Sequence, residues 1–481
     1  MNTFDQSLKT WIDDEKAAIE FINVLGKLWF EKSIELICLR SQLIDRGPGK
    51  ILNKHLRAEA ILNKPVRIQD SLIIAKAILV NNIAPARIDI GRLNSEWTDD
   101  KGKYKDVNEF VLDKLKAFVG VVPRSTKTQD VVLYGFGRIG RLLARELIQI
   151  AGNGSQLRLR AIVTRGNTPE EIKKRISLFR NDSVHGAFRG VAKEDLDNKC
   201  LYINGHVIHM IAASNPEDVD YTAYGIKDAL LIDNTGIFRD RESLGRHLKA
   251  KGIAKVLLTA PGKGDIPNVV YGVNQNSLNV KEETIYSAAS CTTNAIVPGL
   301  KVLTDELGIV KGHLETIHAY TNDQNLLDNF HKKSRRGRSA PLNMVITETG
   351  AGSAAAKAIP SLKGKITSNA VRVPTPNVSL AILTIDTEKK TTVEEVNNFF
   401  LKAALKGELI EQIRYSTSTE FVSSDGIGDS CACIFDAPAT KVSEDGKTVI
   451  VYLWYDNEYG YSCQVVRLAK HIGEVKSYRY Y

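Results

Sequence analysis

The stretch Asp130-Val131-Val132-Leu133-Tyr134-Gly135-Phe136-Gly137-Arg138-Ile139-Gly140 decides the fold. Its first five residues are mostly apolar and read as a buried strand. A GxGxxG turn follows at once, and Arg141 to Ala151 then reads as a helix. Glycines at that spacing let the backbone turn tightly and approach a pyrophosphate at the helix N-terminus. A lone GxGxxG is a weak signal, and a purely structural glycine turn is the alternative. Strand before and helix after make Gly135, Phe136, Gly137, Arg138, Ile139 and Gly140 a dinucleotide-binding turn.

Working outward, the next strand, Leu157 to Val163, ends at the residue expected to read the adenosine ribose. An Asp or Glu there accepts hydrogen bonds from the 2′-OH of NAD and repels the 2′-phosphate of NADP. Here the strand ends Thr164-Arg165-Gly166, with no carboxylate. Arg165 is suited to pair with a 2′-phosphate, which favours NADP over NAD. The alternative is that Arg165 points into solvent and NAD binds without the acidic contact. Further strands are expected at Ala229–Asp233, Lys255–Ala260, Val269–Val273 and Ile285–Ala289. Helical stretches and Gly/Pro turns separate them, so the sheet is a mostly parallel, doubly wound one. Thr235, Gly236 and Thr259 fall just after strand ends, where such sheets bind ligands.

A second stretch carries reactive chemistry. Ser290-Cys291-Thr292-Thr293-Asn294 lies between a strand-like run and a helix, Ala295 to Leu307. A cysteine at a helix N-terminus meets free N–H groups and partial positive charge, which favour the attacking thiolate. A later strand-like run, His313 to Tyr320, supplies His318 as a base. A lone cysteine is more often a small buried hydrophobe.

Composition bounds the rest. The 481 residues suffice for two or three domains, and 43% apolar with 25% charged residues are globular proportions. A net charge of +9 over this length does not mark a nucleic-acid binder; it fits an enzyme of anionic substrates. The six cysteines show no CxxC pair and no metal-ligand spacing with His, so free thiols in a reducing compartment, and no metal, are expected. Cys431, Cys433 and Cys463 are expected to be packed in the core. The N-terminus is polar and acidic, and no apolar run approaches a membrane span, so a cytoplasmic protein is expected.

Residues 1–125 read as an all-α module. Ala18, Phe21, Ile22, Leu25, Leu28 and Trp29 share a helical face, and Val107, Phe110, Val111, Leu115 and Phe118 repeat the pattern. Further helices are expected near Ser33–Leu43 and Ile68–Val80, with a polar loop at Asn94–Lys105. Trp11, Trp29 and Trp97 are expected in a core or an interface. The cluster Lys50, Lys54, His55, Arg57 reads as a solvated face. No catalytic constellation emerges in this region, and its role is open between oligomer contact, partner docking and regulation. Residues 121–128, with Pro123, read as the joint to the dinucleotide fold.

From Asp130 onward the chain resembles the phosphorylating glyceraldehyde-3-phosphate dehydrogenases. The resemblance rests on the glycine turn running to Arg141, on Ser290–Asn294, and on His318-Ala319-Tyr320-Thr321-Asn322-Asp323-Gln324. It rests also on Arg372-Val373-Pro374-Thr375-Pro376-Asn377-Val378-Ser379 and Trp454-Tyr455-Asp456-Asn457-Glu458. It implies an α/β plus α+β chain. A Rossmann-type domain (129–290 and 457–481) would enclose an antiparallel-sheet catalytic domain (291–456), behind the extra N-terminal module. It implies oxidation of glyceraldehyde 3-phosphate to 1,3-bisphosphoglycerate with NAD(P): Cys291 attacks the aldehyde, His318 takes the proton, and phosphate cleaves a thioester. By resemblance, Thr321, Asp323, Arg336 and Arg372 hold the substrate phosphate. Ser290, Thr292, Thr349 and Gly350, with His318, hold the attacking phosphate. Asn457 bonds the nicotinamide carboxamide, Tyr461 packs near that ring, and a homotetramer is expected.

The sequence departs from the family pattern at Tyr134, usually Asn, and at Ala295, usually a second Cys. It departs again at Ala351-Gly352-Ser353, at Ile382 and at Arg165. The altered 351–353 run keeps an erythrose-4-phosphate dehydrogenase as a rival reading. A non-catalytic scaffold is a second rival, against which the presence of Cys291, His318, Arg336, Arg372 and Asn457 together argues.

Overall fold

The computed structural model describes residues 3–121, 128–152, 154, 156–475 and 477–481. The expected joint at 121–128 lies, over 122–127, outside the described residues. The chain forms two compact units. One is residues 1–128 with 151–156 and 474–481; the other is 129–150 with 157–473. Among the described residues no helix is long and apolar enough to cross a membrane.

The larger unit holds two eight-stranded sheets. The first runs, edge to edge, through Ile285–Ser287, Ile253–Leu258, Ala229–Asp233, Gln129–Tyr134, Leu157–Thr164, His206–Ala212, Cys200–Ile203 and Ala192–Asp195. Its first six strands are parallel and the last two add antiparallel hairpins. The chain turns outward on both sides of Gln129–Tyr134, so the crevice beside the glycine turn is the topological switch point where such sheets bind ligands. The expected strand Val269–Val273 is not formed. Only Asn268 bridges to Ser287, because this segment bends back on itself through Val273 N–H to Val270 O at 3.1 Å.

The second sheet is mostly antiparallel. Its order is Val345–Thr347, Ile366–Val373, Ile309–Ala319, Ser379–Thr387, Thr448–Tyr455, Cys433–Asp436 and Ile413–Ser416, with Lys441–Val442 off Thr448–Tyr455. Alternation decides which face is covered: in Ser379–Thr387 and Thr448–Tyr455 every second residue is buried. The helix Cys291–Leu307 lies on that face with Val393–Leu405, and twelve of the seventeen residues of Cys291–Leu307 are buried. Gly299 permits the approach, since a Cβ there would meet Leu453 Cδ1 at 2.8 Å. Phe400 and Phe435 stack at 3.9 Å in this core. Each such buried side chain contributes about 1.5–3 kcal/mol from leaving water. Cys431, Cys433 and Cys463 are packed inside.

The smaller unit contains three of the expected helices, as Thr3–Lys32, Ile68–Val80 and Val107–Lys114. It also contains a four-stranded sheet that the sequence reading lacks, so helices alone do not describe it. Residues 33–43, read as helix, instead supply the strands Glu35–Cys38 and Ser41–Gln42. Leu39 and Arg40 make the turn between them with φ of 39° and 72°. Ala86–Asp89 pairs parallel to Glu35–Cys38. The fourth strand, Tyr478–Tyr480, comes from the far end of the chain and pairs parallel to Ala86–Asp89. Residues 474–481, expected to stay with the cofactor domain, thus complete the N-terminal one. Tyr480 Oη donates to Glu96 at 2.5 Å, Arg92 lies over the Tyr480 ring, and Phe118 packs against Tyr478.

The polar run read as a loop, 94–105, begins as the helix Ile90–Asp100, which Asp89 caps by accepting from Gly91 N and Arg92 N. Buried Asn94 donates to Ser71 Oγ at 2.8 Å and to Arg67 O at 2.7 Å, so its polarity serves the interior. His55, read as part of a solvated face, is buried and contacts Ser71 Oγ at 2.9 Å. Trp29 is buried and Trp97 half-buried, while Trp11 is 48% exposed.

Truncation after Gly473 removes the fourth strand and its tyrosines. Scanning calorimetry is expected to show the transition of the smaller unit lowered by several degrees, with that of the larger unit in place. An unchanged thermogram would contradict the shared sheet.

Candidate active site

Cys291 is the first residue of the helix Cys291–Leu307. Ser290 caps that helix, its Oγ accepting from Thr293 N at 3.0 Å and touching Thr293 Oγ1 at 2.7 Å. Ala289, with φ of 54°, turns the chain into the cap. His318 stands at the end of the strand Ile309–Ala319, and its Nε2 is 3.6 Å from Cys291 Sγ. His318 Nδ1 lies 2.7 Å from Ala319 O. A proton on Nδ1 satisfies that carbonyl and leaves Nε2 as the acceptor facing sulfur.

Arg372 is the parallel-strand neighbour of His318. Its Nη1 sits 3.0 Å from His318 Nδ1, 2.9 Å from Ala319 O and 3.3 Å from Thr321 Oγ1. Burial, with the Arg372 charge second, holds the imidazolium form down to about pKa 3. Burial also pushes the Cys291 thiol up, against the opposing pull of Arg372 and of the N–H groups of Thr292 and Cys291. The expected thiolate is therefore corrected. The helix N-terminus favours the thiolate, but burial opposes it and shifts the thiol upward.

Asp323 and Arg336 form an ion pair, Thr321 donates to the same carboxylate, and Arg336 Nη2 reaches Thr347 Oγ1 at 3.1 Å. Thr321, Asp323, Arg336 and Arg372 thus come together in one linked cluster of polar contacts. The other expected anion group is more dispersed in its bonding. Gly350 caps the helix Ala351–Ala358, and Thr349 Oγ1 accepts from Ala351 N at 3.2 Å. The Thr292 hydroxyl is engaged at 3.0 Å by Tyr455 Oη, which also holds Thr316 Oγ1 at 2.8 Å. A Cβ on Gly352 would meet Ser368 Oγ at 2.9 Å.

The dinucleotide turn fits its group. Gly135 has φ of 100°, and a Cβ on Gly140 would meet both Gly135 O and Asn234 Oδ1 at 2.6 Å. Asn234 Oδ1 is buried with no hydrogen-bond partner. Thr235 N and Oγ1 donate to Asp233, whose other oxygen meets His247 Nε2 at 2.9 Å, and Gly236 turns at φ of 70°. Thr259 Oγ1 donates to Asp233 O. Tyr134 packs edge-on against His247 at 4.7 Å. The Arg138 side chain is engaged by Glu458 and Asp182. Arg165 is exposed and enters no ion pair among the described residues. Asn457 is buried beside Ser379, and Tyr461 Oη donates to Ala289 O at 3.0 Å.

A family model for the NAD-binding domain of glyceraldehyde 3-phosphate dehydrogenase matches residues 129–241, and one for its C-terminal domain matches 290–457. A glyceraldehyde-3-phosphate dehydrogenase-like protein of Pseudomonas aeruginosa is 48% identical over 94% of this chain and 98% of its own. The chain belongs to the glyceraldehyde-3-phosphate dehydrogenase family. The chloroplastic dehydrogenase A of Zea mays is 42% identical over 72% of this chain and 84% of its own. The dehydrogenase of Geobacillus stearothermophilus is 41% identical over 71% and 97%. The Pseudomonas match is long enough to include most of the N-terminal region, which the other two lack room to cover.

Membership in the dehydrogenase family frames what sequence reasoning missed. Glu171 lies against the end of the strand Leu157–Thr164: a Cβ on Gly166 would meet its carboxylate at 2.4 Å, while Glu171 Oε2 accepts from Thr168 N in a capping box. It sits six residues past Arg165 on a helix, so no strand-end pattern reveals it. Tyr455 and Ser379 lay inside the quoted motifs without an assigned role.

With the ligand-free protein, the rate of Cys291 alkylation by iodoacetamide is expected to climb through the alkaline range, following a raised thiol pKa. Arg372→Ala removes a charge that favours thiolate and moves the climb to still higher pH. A rate already level at pH 7 would contradict the raised thiol.

Proposed function

We propose that this dehydrogenase oxidises glyceraldehyde 3-phosphate with inorganic phosphate to 1,3-bisphosphoglycerate, reversibly, with NADP favoured over NAD. The observation that carries this is the 3.6 Å contact of Cys291 Sγ with His318 Nε2 beside the pocket of Thr321, Asp323, Arg336 and Arg372. The sulfur attacks the aldehyde carbon while neutral His318 receives the proton. The N–H groups at the start of the helix face the developing oxyanion. The dinucleotide, held by the glycine turn, Thr235, Gly236, Thr259 and Asn457, supplies the hydride acceptor. The Cys291 thioester retains the oxidation energy until phosphate cleaves it. Guanidinium forks suit the phosphate of a triose, and Arg372 stands between that pocket and the base.

The NADP preference is supported by the exposed, unpaired Arg165. Glu171 lies near that strand end, where its Oε2 is already engaged by Thr168 N. A homotetramer is supported by the exposure of Phe330 at 92% and Leu327 at 76%, with Leu342 and Met344 also exposed, apolar surface that further subunits would cover.

Initial rates test this reading. kcat/KM is expected to be higher with NADP, and Arg165→Asp to lower the NADP value about tenfold or more, the loss of one charge-assisted pair. Cys291→Ser is expected to lower kcat about a thousandfold or more. A preference for NAD would overturn the Arg165 assignment. Turnover independent of phosphate would favour the erythrose-4-phosphate reading, to which the Gly352 departure points.

A further inference from the structure

Ser379 has no exposed surface and sits where three parts of the site meet. Its Oγ accepts from Ala319 N at 3.1 Å, next to the base. It also neighbours the Tyr455 hydroxyl, which bridges Thr292 and Thr316. Its own hydrogen goes to Asn457 Oδ1 at 2.9 Å. A serine hydroxyl has one hydrogen and two acceptor positions. The Ala319 N–H can only donate, and the tyrosine O–H has a hydrogen to give, so the serine hydrogen is left for the amide of Asn457. The carbonyl end of that amide is thereby fixed. Asn457 Nδ2 has no hydrogen-bond partner among the described residues and stays available as a donor.

Val378 sets the serine in place. It is β-branched, yet adopts φ of 64°, a conformation that such residues avoid. Asn377, on its other side, is anchored by its Nδ2 donating to Asp456 Oδ1 at 2.9 Å. Asp456 in turn accepts from Glu458 N and Tyr459 N, so both flanks of Asn457 are held from the same carboxylate. Strain persists only where the surroundings over-determine it. Here it aims Ser379 across to Asn457 and Ala319 together.

We propose that Ser379 is a positioning residue for hydride transfer. It selects which end of the Asn457 amide faces the nicotinamide carboxamide, and it ties that amide to the strand bearing His318. The proposal rests on the reading of Asn457 as the nicotinamide contact. Without Ser379 the amide flips between two nearly isosteric orientations, and only one of them offers N–H to the carboxamide oxygen.

The test uses full-length Ser379→Ala, Ser379→Thr and Asn457→Asp proteins. Dinucleotide affinity is measured by calorimetry without substrate, so its outcome is separate from whether the aldehyde assignment holds. Ser379→Ala is expected to weaken oxidised-cofactor binding roughly tenfold, the scale of one buried hydrogen bond. Cys291 alkylation is expected to keep its wild-type rate. With 1-deuterated substrate, deuterium is expected on both faces of the reduced nicotinamide, where the wild type labels one. Ser379→Thr, which keeps the hydroxyl, is expected to restore single-face labelling. Ser379→Ala combined with Asn457→Asp is expected to weaken binding no more than Asn457→Asp alone. Wild-type affinity and single-face labelling in Ser379→Ala would overturn the proposal. So would an affinity loss that adds in full to that of Asn457→Asp.

Discussion

A cysteine sulfur and an imidazole nitrogen 3.6 Å apart impose the constraint that the larger unit satisfies. One belongs to the start of a helix and the other to the end of a strand, so helix and sheet must be fixed against each other to within a fraction of that distance. Gly299 lets the helix settle onto the sheet, and the Tyr455 hydroxyl pins Thr292 of the helix to Thr316 of the strand. The same packing that gives this precision removes water, and removing water raises the thiol and lowers the imidazole. Burial therefore opposes charge on both groups. Reactivity waits for an occupant that changes the field, and the group best placed to feel one is Arg372, shared between the base and the polar cluster.

Much of this was legible in the sequence, for physical reasons. The glycine turn is local: Gly135 needs a positive φ and Gly140 leaves no room for a Cβ, so residue identity alone reveals the geometry. Cys291 at a helix start and His318 at a strand end follow from apolar periodicity. What periodicity cannot give is register. Arg372 lies 54 residues from His318, and only their pairing in adjacent parallel strands brings the guanidinium onto the ring. The balance between helix dipole and burial is hidden from the sequence for the same reason: the dipole is local, the burial is not.

The smaller unit was the least legible. Its strands are two to four residues long, too short for alternation to register. One of them, Tyr478–Tyr480, lies at the opposite end of the chain, and no local pattern announces a pairing over that separation. Asn94 and His55 looked solvent-facing because they are polar, yet their partners are one another's neighbours in the interior, through Ser71. Most of the region recurs in the Pseudomonas relative, so the unit is a shared addition to the dehydrogenase fold. Because both chain ends build it, the catalytic fold is enclosed in sequence between its two parts.

The central claim is that Cys291 carries the acyl group as a thioester. Intact-protein and peptide mass spectrometry after mixing the enzyme with glyceraldehyde 3-phosphate and oxidised cofactor, without inorganic phosphate, tests it most directly. The account predicts one phosphoglyceroyl group on the peptide containing Cys291, discharged when phosphate is added and absent from Cys291→Ser. Cofactor reduction with Cys291 unmodified throughout would contradict it.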